Sequence, residues 1–173
     1  MRAIFGVLAM AAAIAAFPAA AENGFLTITA AKQGVVKGEV TRKGYEDSLE
    51  VVNLAMGVTV PASQGMVVAR RVQQPVVITL RWSKATPVLM TAATNGEVLS
   101  TVKYTGVVAT PQGVDKQAHT LTLTNARITS LQLKDNNGND SGLDPVVELT
   151  LTYQKLELTE TDGGITTVDD WSH

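Results

Sequence analysis

Residues 145–158 read PVVELTLTYQKLEL. Val147, Leu149, Leu151 and Tyr153 put apolar side chains at odd positions, whereas Leu156 and Leu158 put them at even ones. Alternation with period two marks a strand with one buried face. A slip of one residue, as between Tyr153 and Leu156, turns every later side chain of a flat strand to the opposite face. Two devices would keep the apolar set inside. One is a bulge near Gln154-Lys155 that bends the strand, and the other is a change from one sheet to another at that point. Both belong to small barrels and two-sheet sandwiches, so the stretch predicts a mainly β fold of that kind.

Working outward, Thr120 to Thr124 alternates strictly, which predicts Leu121 and Leu123 inward and the threonines outward. Arg127 to Lys134 either continues this strand or bends away from it at Asn125-Ala126, and Pro111 to Asp115 is the turn before it. Val98 to Gly106 reads as a strand with Leu99, Thr101, Lys103 and Thr105 on one face and Val98, Ser100, Val102 and Tyr104 on the other. Pro75 opens a strong strand over Val76 to Trp82. Ser48 to Val58 is strand-like, with Leu49, Val51 and Asn53 sharing a face. Phe25 to Ala30 is a first strand, turned by Ala31 to Gly34. Gly57 to Gln74 is a long excursion, holding Pro61 and Gly65, with room for a hairpin.

One helix interrupts this pattern, at about residues 87–94. Thr86 is placed to cap it, Pro87 suits the first helical position, and Asn95-Gly96 supplies a left-handed stop. Leu89, Ala92 and Ala93 form a narrow apolar stripe. Two turns are too short to stand alone, so the stripe must pack on the sheets, plugging an open end or edge of the barrel.

The chain opens with a secretory leader pattern. Arg2 is followed by an uncharged run from Ala3 to Ala16, then by Phe17-Pro18-Ala19-Ala20-Ala21, which predicts cleavage between Ala21 and Glu22. Removing 21 of 173 residues leaves 152, enough for a single domain over 22–173 with a real core. Losing Arg2 takes the formal net charge from −2 to −3. A mildly acidic protein gains no electrostatic help in holding nucleic acid or an anionic membrane, and Arg70-Arg71 lacks neighbouring aromatics for stacking on bases. No later apolar run is long enough for a membrane span. With no cysteine, the fold has no disulfides even in an oxidising compartment.

Chemistry-bearing patterns are sparse. His119 precedes an alternating strand and reads as a surface residue; the other histidine is the terminal His173. There is no G-x-S-x-G elbow and no zinc ligand set. Asp135, Asn137 and Asn139 resemble the start of a calcium loop, but Gly138 is fourth rather than sixth and Val146 holds the twelfth position. The segment reads instead as a loop between strands. The pairs Glu46-Asp47 and Asp169-Asp170 are sequence neighbours that point apart, and Trp171 can pin the tail to the body. The composition predicts a structural or binding module that uses no cofactor or metal.

Five stretches, in order, carry a family resemblance: GFLTITAAKQGVVKGEV (24–40), PVVITLRWSKATPVLMTAATNGEVLSTVKY (75–104), HTLTLTNARITSL (119–131), PVVELTLTYQKLEL (145–158) and DGGITTVDDW (162–171). Together they resemble the haemolysin-coregulated protein (Hcp) family, the tube subunits of bacterial type VI secretion systems. The resemblance implies a small β-barrel with one helix and no enzymatic activity. It implies six copies closing into a ring, rings stacking into a hollow tube, and secreted effectors and other secretion-system components as partners. It also implies that the loop matching Gly57 to Gln74 reaches a neighbouring ring, which makes Pro61, Gln64, Gly65, Arg70 and Arg71 interface residues. The leader departs from the family pattern. It predicts a secreted or periplasmic protein, and the alternative reading is an exported β-barrel binding module that no longer stacks. If the leader is not used, cytoplasmic assembly precedes secretion.

Overall fold

The alternating segments close on themselves. The computed structural model describes residues 22–63, 66–67, 72–110, 114–135 and 144–171. In chain order these form β1 (Glu22–Ala30), β2 (Gly34–Val36), β3 (Leu49–Ala55), β4 (Val58–Thr59), β5 (Ala62–Ser63), β6 (Met66–Val67) and β7 (Val72–Gln73). They continue with β8 (Val76–Arg81), α1 (Thr86–Thr94), β9 (Leu99–Ala109), β10 (Asp115–Lys134), β11 (Val146–Thr152), β12 (Lys155–Glu160) and β13 (Ile165–Asp170). Six strands follow one another as β11-β8-β3-β1-β9-β10, and a further β10–β11 pairing closes the ring of strands. The fold is therefore a closed barrel rather than an open sandwich. β12 and β13 extend it beyond β10, and β2 pairs with β1.

Closure rests on the length of β10. Its 20 residues pair with β9 from Asp115 to Ala126 and with β11 from Arg127 to Lys134. Both sequence alternatives for Arg127 to Lys134 hold in part: the strand continues, yet it bends at Asn125, whose φ is 51°. Buried positions in β10 run Leu121 and Leu123 before the bend, then Ala126 and Ile128 after it. The facing chain slips at the same level, with Leu149, Leu151 and Tyr153 buried before it and Leu156 after. Gln154 sits at that break. Its amide donates to the Thr124 carbonyl at 3.2 Å, and its side-chain oxygen accepts from Asn125 Nδ2 at 2.7 Å. The slip in PVVELTLTYQKLEL thus marks where the chain leaves the barrel wall as β11 and continues as β12.

β9 turns this corner too. Between Thr101 and Leu99 it carries one residue more than β1, and the extra residue, Ser100, donates its hydroxyl to the Thr29 carbonyl at 2.9 Å. Leu99 is consequently buried together with Val102 and Tyr104, which corrects the expectation that it shares a face with Thr101 and Lys103. A second bulge in β3, between Val51 and Asn53, leaves Asn53 exposed and turns Leu54 toward the core instead. Thr120, expected outward, is buried where it lies between Thr105 and Thr159.

The core is built from Leu26, Ile28, Leu49, Ile78, Leu80, Leu99, Val102, Leu123, Leu149 and Leu151, each at most 2 % exposed. Each such side chain stabilises the fold by roughly 1.5–3 kcal/mol. α1 packs against β10 and adds Leu89 and Ala92 to the core. Its C-terminus follows expectation: Gly96 has φ 58°, its amide bonds the Ala93 carbonyl, and the Glu97 amide bonds the Ala92 carbonyl. Its N-terminus does not. Ala85 already has helical geometry, so Thr86 lies inside the first turn and its hydroxyl accepts from the Ser83 amide at 3.2 Å.

The corner makes a stability prediction. Asn125→Val forces a β-branched residue to a positive φ and should cost about 1–3 kcal/mol. Asn125→Gly keeps the backbone and loses only a side-chain hydrogen bond, so it should cost less, about 1 kcal/mol. Denaturant unfolding of both variants checks the order.

Candidate assembly interface

A closed barrel has no unpaired edge of its own, so surfaces able to bind must lie on what is added to it. Two additions stand out. The first is an arm that grows from the ends of β3 and β8. β4 pairs with β7, matching Val58 to Gln73 and Thr59 to Val72, and beyond them β5 pairs with β6. The excursion expected over Gly57 to Gln74 is this nested hairpin. Its base is tied down by Gln73 Nε2, which donates to the Tyr153 carbonyl at 2.8 Å, and by Gln74 Nε2, which donates to Thr59 Oγ1 at 3.3 Å. The rest is apolar and bare. Met56, Val58, Val60, Met66 and Val72 are all exposed, Met66 by 69 %. Apolar side chains gathered on one projecting element mark a contact surface. Of the sequence-predicted interface residues, Pro61 is half-buried between β4 and β5, whereas Gln64, Gly65, Arg70 and Arg71 lie outside the described residues.

The second addition is the flap formed by β12 and β13, paired from Lys155–Asp170 to Glu160–Ile165. Trp171 anchors its end as the sequence predicts. Its amide donates to the Gln154 carbonyl at 2.8 Å, its Nε1 donates to Asp169 Oδ2 at 2.9 Å, and its ring packs on the core. Ile165 and Val168 face solvent, 69 % and 51 % exposed. Composition gave no reading of this strand, although the run Ile165-Thr166-Thr167-Val168 carries the β-branched signal that could have found it.

Groups elsewhere serve the scaffold. His119 is half-buried with its ring 5.7 Å from that of Tyr104. Arg81 Nε lies 3.0 Å from Glu50 Oε1, and its guanidinium also meets Asp144. The hydrogen bond and charge of Glu50 hold the Arg81 pKa above its ordinary value against the effect of burial. These groups border a pocket of about 410 Å³ with Trp82, Asp135 and Pro145. The loop expected at Asp135 to Asp140 lies, past Asp135, outside the described residues. Among the described residues no three His, Cys, Asp or Glu side chains gather to hold a metal, and no helix is long and apolar enough to cross a membrane.

Glu97 joins the β1–β2 turn to the helix end. Its Oε1 accepts the amides of Lys32 and Gln33 at 2.5 and 3.0 Å, and its Oε2 accepts Gln33 Nε2 at 3.0 Å. The Lys32 amide first, then the Gln33 bonds, pull its pKa below the ordinary 4.5 against the opposing effect of burial. A depressed folded value means that this ionised carboxylate stabilises the fold above pH 4.5, and that the contribution is lost as pH falls from there through the folded value. Glu97→Gln should therefore melt lower than the parent at pH 7, with the gap closing below that window. Thermal melts at stepped pH check the convergence.

With this geometry in hand, the relatives are informative. The family described as "Type VI secretion system effector, Hcp" matches residues 25–159. The "Major exported protein" of Pseudomonas aeruginosa is 28 % identical over 165 residues, covering 87 % of this chain and 96 % of that protein. A crystal structure of an Hcp protein superposes with a TM-score of 0.80 at 28 % identity, covering 88 % of this chain and 99 % of that one. The secreted protein Hcp3 of Pseudomonas aeruginosa gives 0.73 at 26 %, covering 88 % and 100 %.

Proposed function

Because this chain belongs to the type VI secretion Hcp family and has its tube-subunit fold, we propose that it is a non-enzymatic structural protein whose copies close into six-membered rings that stack. The observation that carries this reading is the arm. A barrel whose strands are all paired has no need to expose Met56, Val58, Val60, Met66 and Val72 on a projecting ribbon unless another surface covers them. Pro61, Gln64, Gly65, Arg70 and Arg71 are the arm residues that this reading assigns to the contact with a neighbouring copy. The lumen of such a tube would carry secreted effector proteins.

On the same reading residues 1–21 are a leader and 22–173 one domain. The relative named as an exported protein supports export of this chain. The leader pattern favours a second reading, an exported binding module that keeps the barrel without stacking.

Light scattering of residues 22–173 on a sizing column, with negative-stain images of the main peak, separates the two. Six-fold rings are expected; a monomer at high concentration would leave only the binding-module reading. Protein recovered from its native host should begin at Glu22 by N-terminal sequencing. A chain that still begins at Met1 or Met10 would remove the leader from the account.

A further inference from the structure

The flap ends in a strand that has a partner on one side only. β13 pairs with β12, and among the described residues no strand lies on its other side. Exposed edges are usually blunted by lysine, proline or a bulge, because their free N–H and C=O groups recruit other strands. β13 reads ITTVDD, has neither lysine nor proline, and keeps regular register with β12 throughout. Its side chains offer no apolar contact to their own barrel at Ile165 and Val168. This is an edge built to be covered.

The arm is the matching half. β4–β7 and β5–β6 are two-stranded ribbons with no third strand among the described residues, and an isolated ribbon of that kind is marginal in water. The charges are complementary. From Gly57 to Gln74 the only charged residues are Arg70 and Arg71. From Lys155 to Trp171 there is one lysine against five carboxylates, Glu157, Glu160, Asp162, Asp169 and Asp170. Lys116 of β10 reaches Asp162 at 3.4 Å, and Lys155 reaches Glu157 at 3.8 Å, so the flap keeps an acidic excess after its internal pairs are counted.

We infer that the arm of one copy docks on the β12–β13 flap of the next, adding its ribbon to the β13 edge and setting Arg70-Arg71 against the flap carboxylates. Arm and flap are different surfaces, so the contact is head to tail, the type that repeats around a ring or along a stack. Strand addition supplies backbone hydrogen bonds, Ile165 and Val168 receive the apolar side chains of the arm, and the charges fix register. The inference rests on the self-assembly proposed above and names the surface that receives the arm.

The chain has no cysteine, so introduced thiols report without background. Residues 22–173 carrying Met66→Cys and Val168→Cys together, treated with a short bis-maleimide, should give a ladder beyond dimer on a reducing gel. Either substitution alone should give no ladder. In parallel, Arg70→Glu with Arg71→Glu should raise the concentration needed for assembly about tenfold. Adding Glu160→Arg and Asp170→Arg to the same chain should restore it. If the unaltered chain stays monomeric by light scattering, the self-assembly reading falls and this inference falls with it. If it assembles, but the double-cysteine chain yields no ladder, or the reversed charges leave assembly unchanged, the inference alone is overturned.

Discussion

One corner holds the barrel closed. At a single level three neighbouring strands change phase together, at Ser100, Asn125 and Gln154, and each shift is stitched to the next by a side chain bonded to a facing chain or a backbone bond across it. Without the turn at Asn125, β10 could satisfy β9 or β11 but would present alternate side chains to the wrong side of one of them. The cost of a left-handed asparagine is small beside the burial it makes possible on both halves of a 20-residue strand. The arm is tethered here through Gln73 to the Tyr153 carbonyl, and the flap through Trp171 to the Gln154 carbonyl. Both additions to the barrel are therefore positioned from the same place.

Half of this corner was legible in the sequence. The slip between Tyr153 and Leu156 shows because leucines mark the phase on either side. The slip at Ser100 does not, because threonine, serine and lysine surround it, and Leu99 was assigned to the wrong face as a result. Asn125 was legible as a bend but not as a bend within one strand, since pairing to β11 is a long-range fact with no local signal. The misplaced cap at Thr86 has a local cause: Ala85 already takes helical angles, which leaves the hydroxyl nearest the Ser83 amide. Asn53 was misplaced by a one-residue bulge that the polar flank of β3 conceals.

The interaction surfaces were harder to read than the barrel. The long excursion over Gly57 to Gln74 stands out by its proline, glycine and small residues, yet strands of two residues are too short to show period two. The flap stayed hidden because an exposed β-branched edge looks like a polar tail until its partner strand is known. What could be read in both is charge: two arginines in one, a carboxylate excess in the other.

The route by which the arm leaves the barrel has a mechanical consequence. Its strands run on from β3 and β8, whose ladders to β1 and β11 lie in the barrel wall. A pull on the arm acts along those strands, so the ladder bonds are loaded together in shear instead of being opened one at a time from an end. A joint of this geometry resists rupture far better than a loop attached at a single point. It suits a subunit whose neighbours are driven forward as one rigid column.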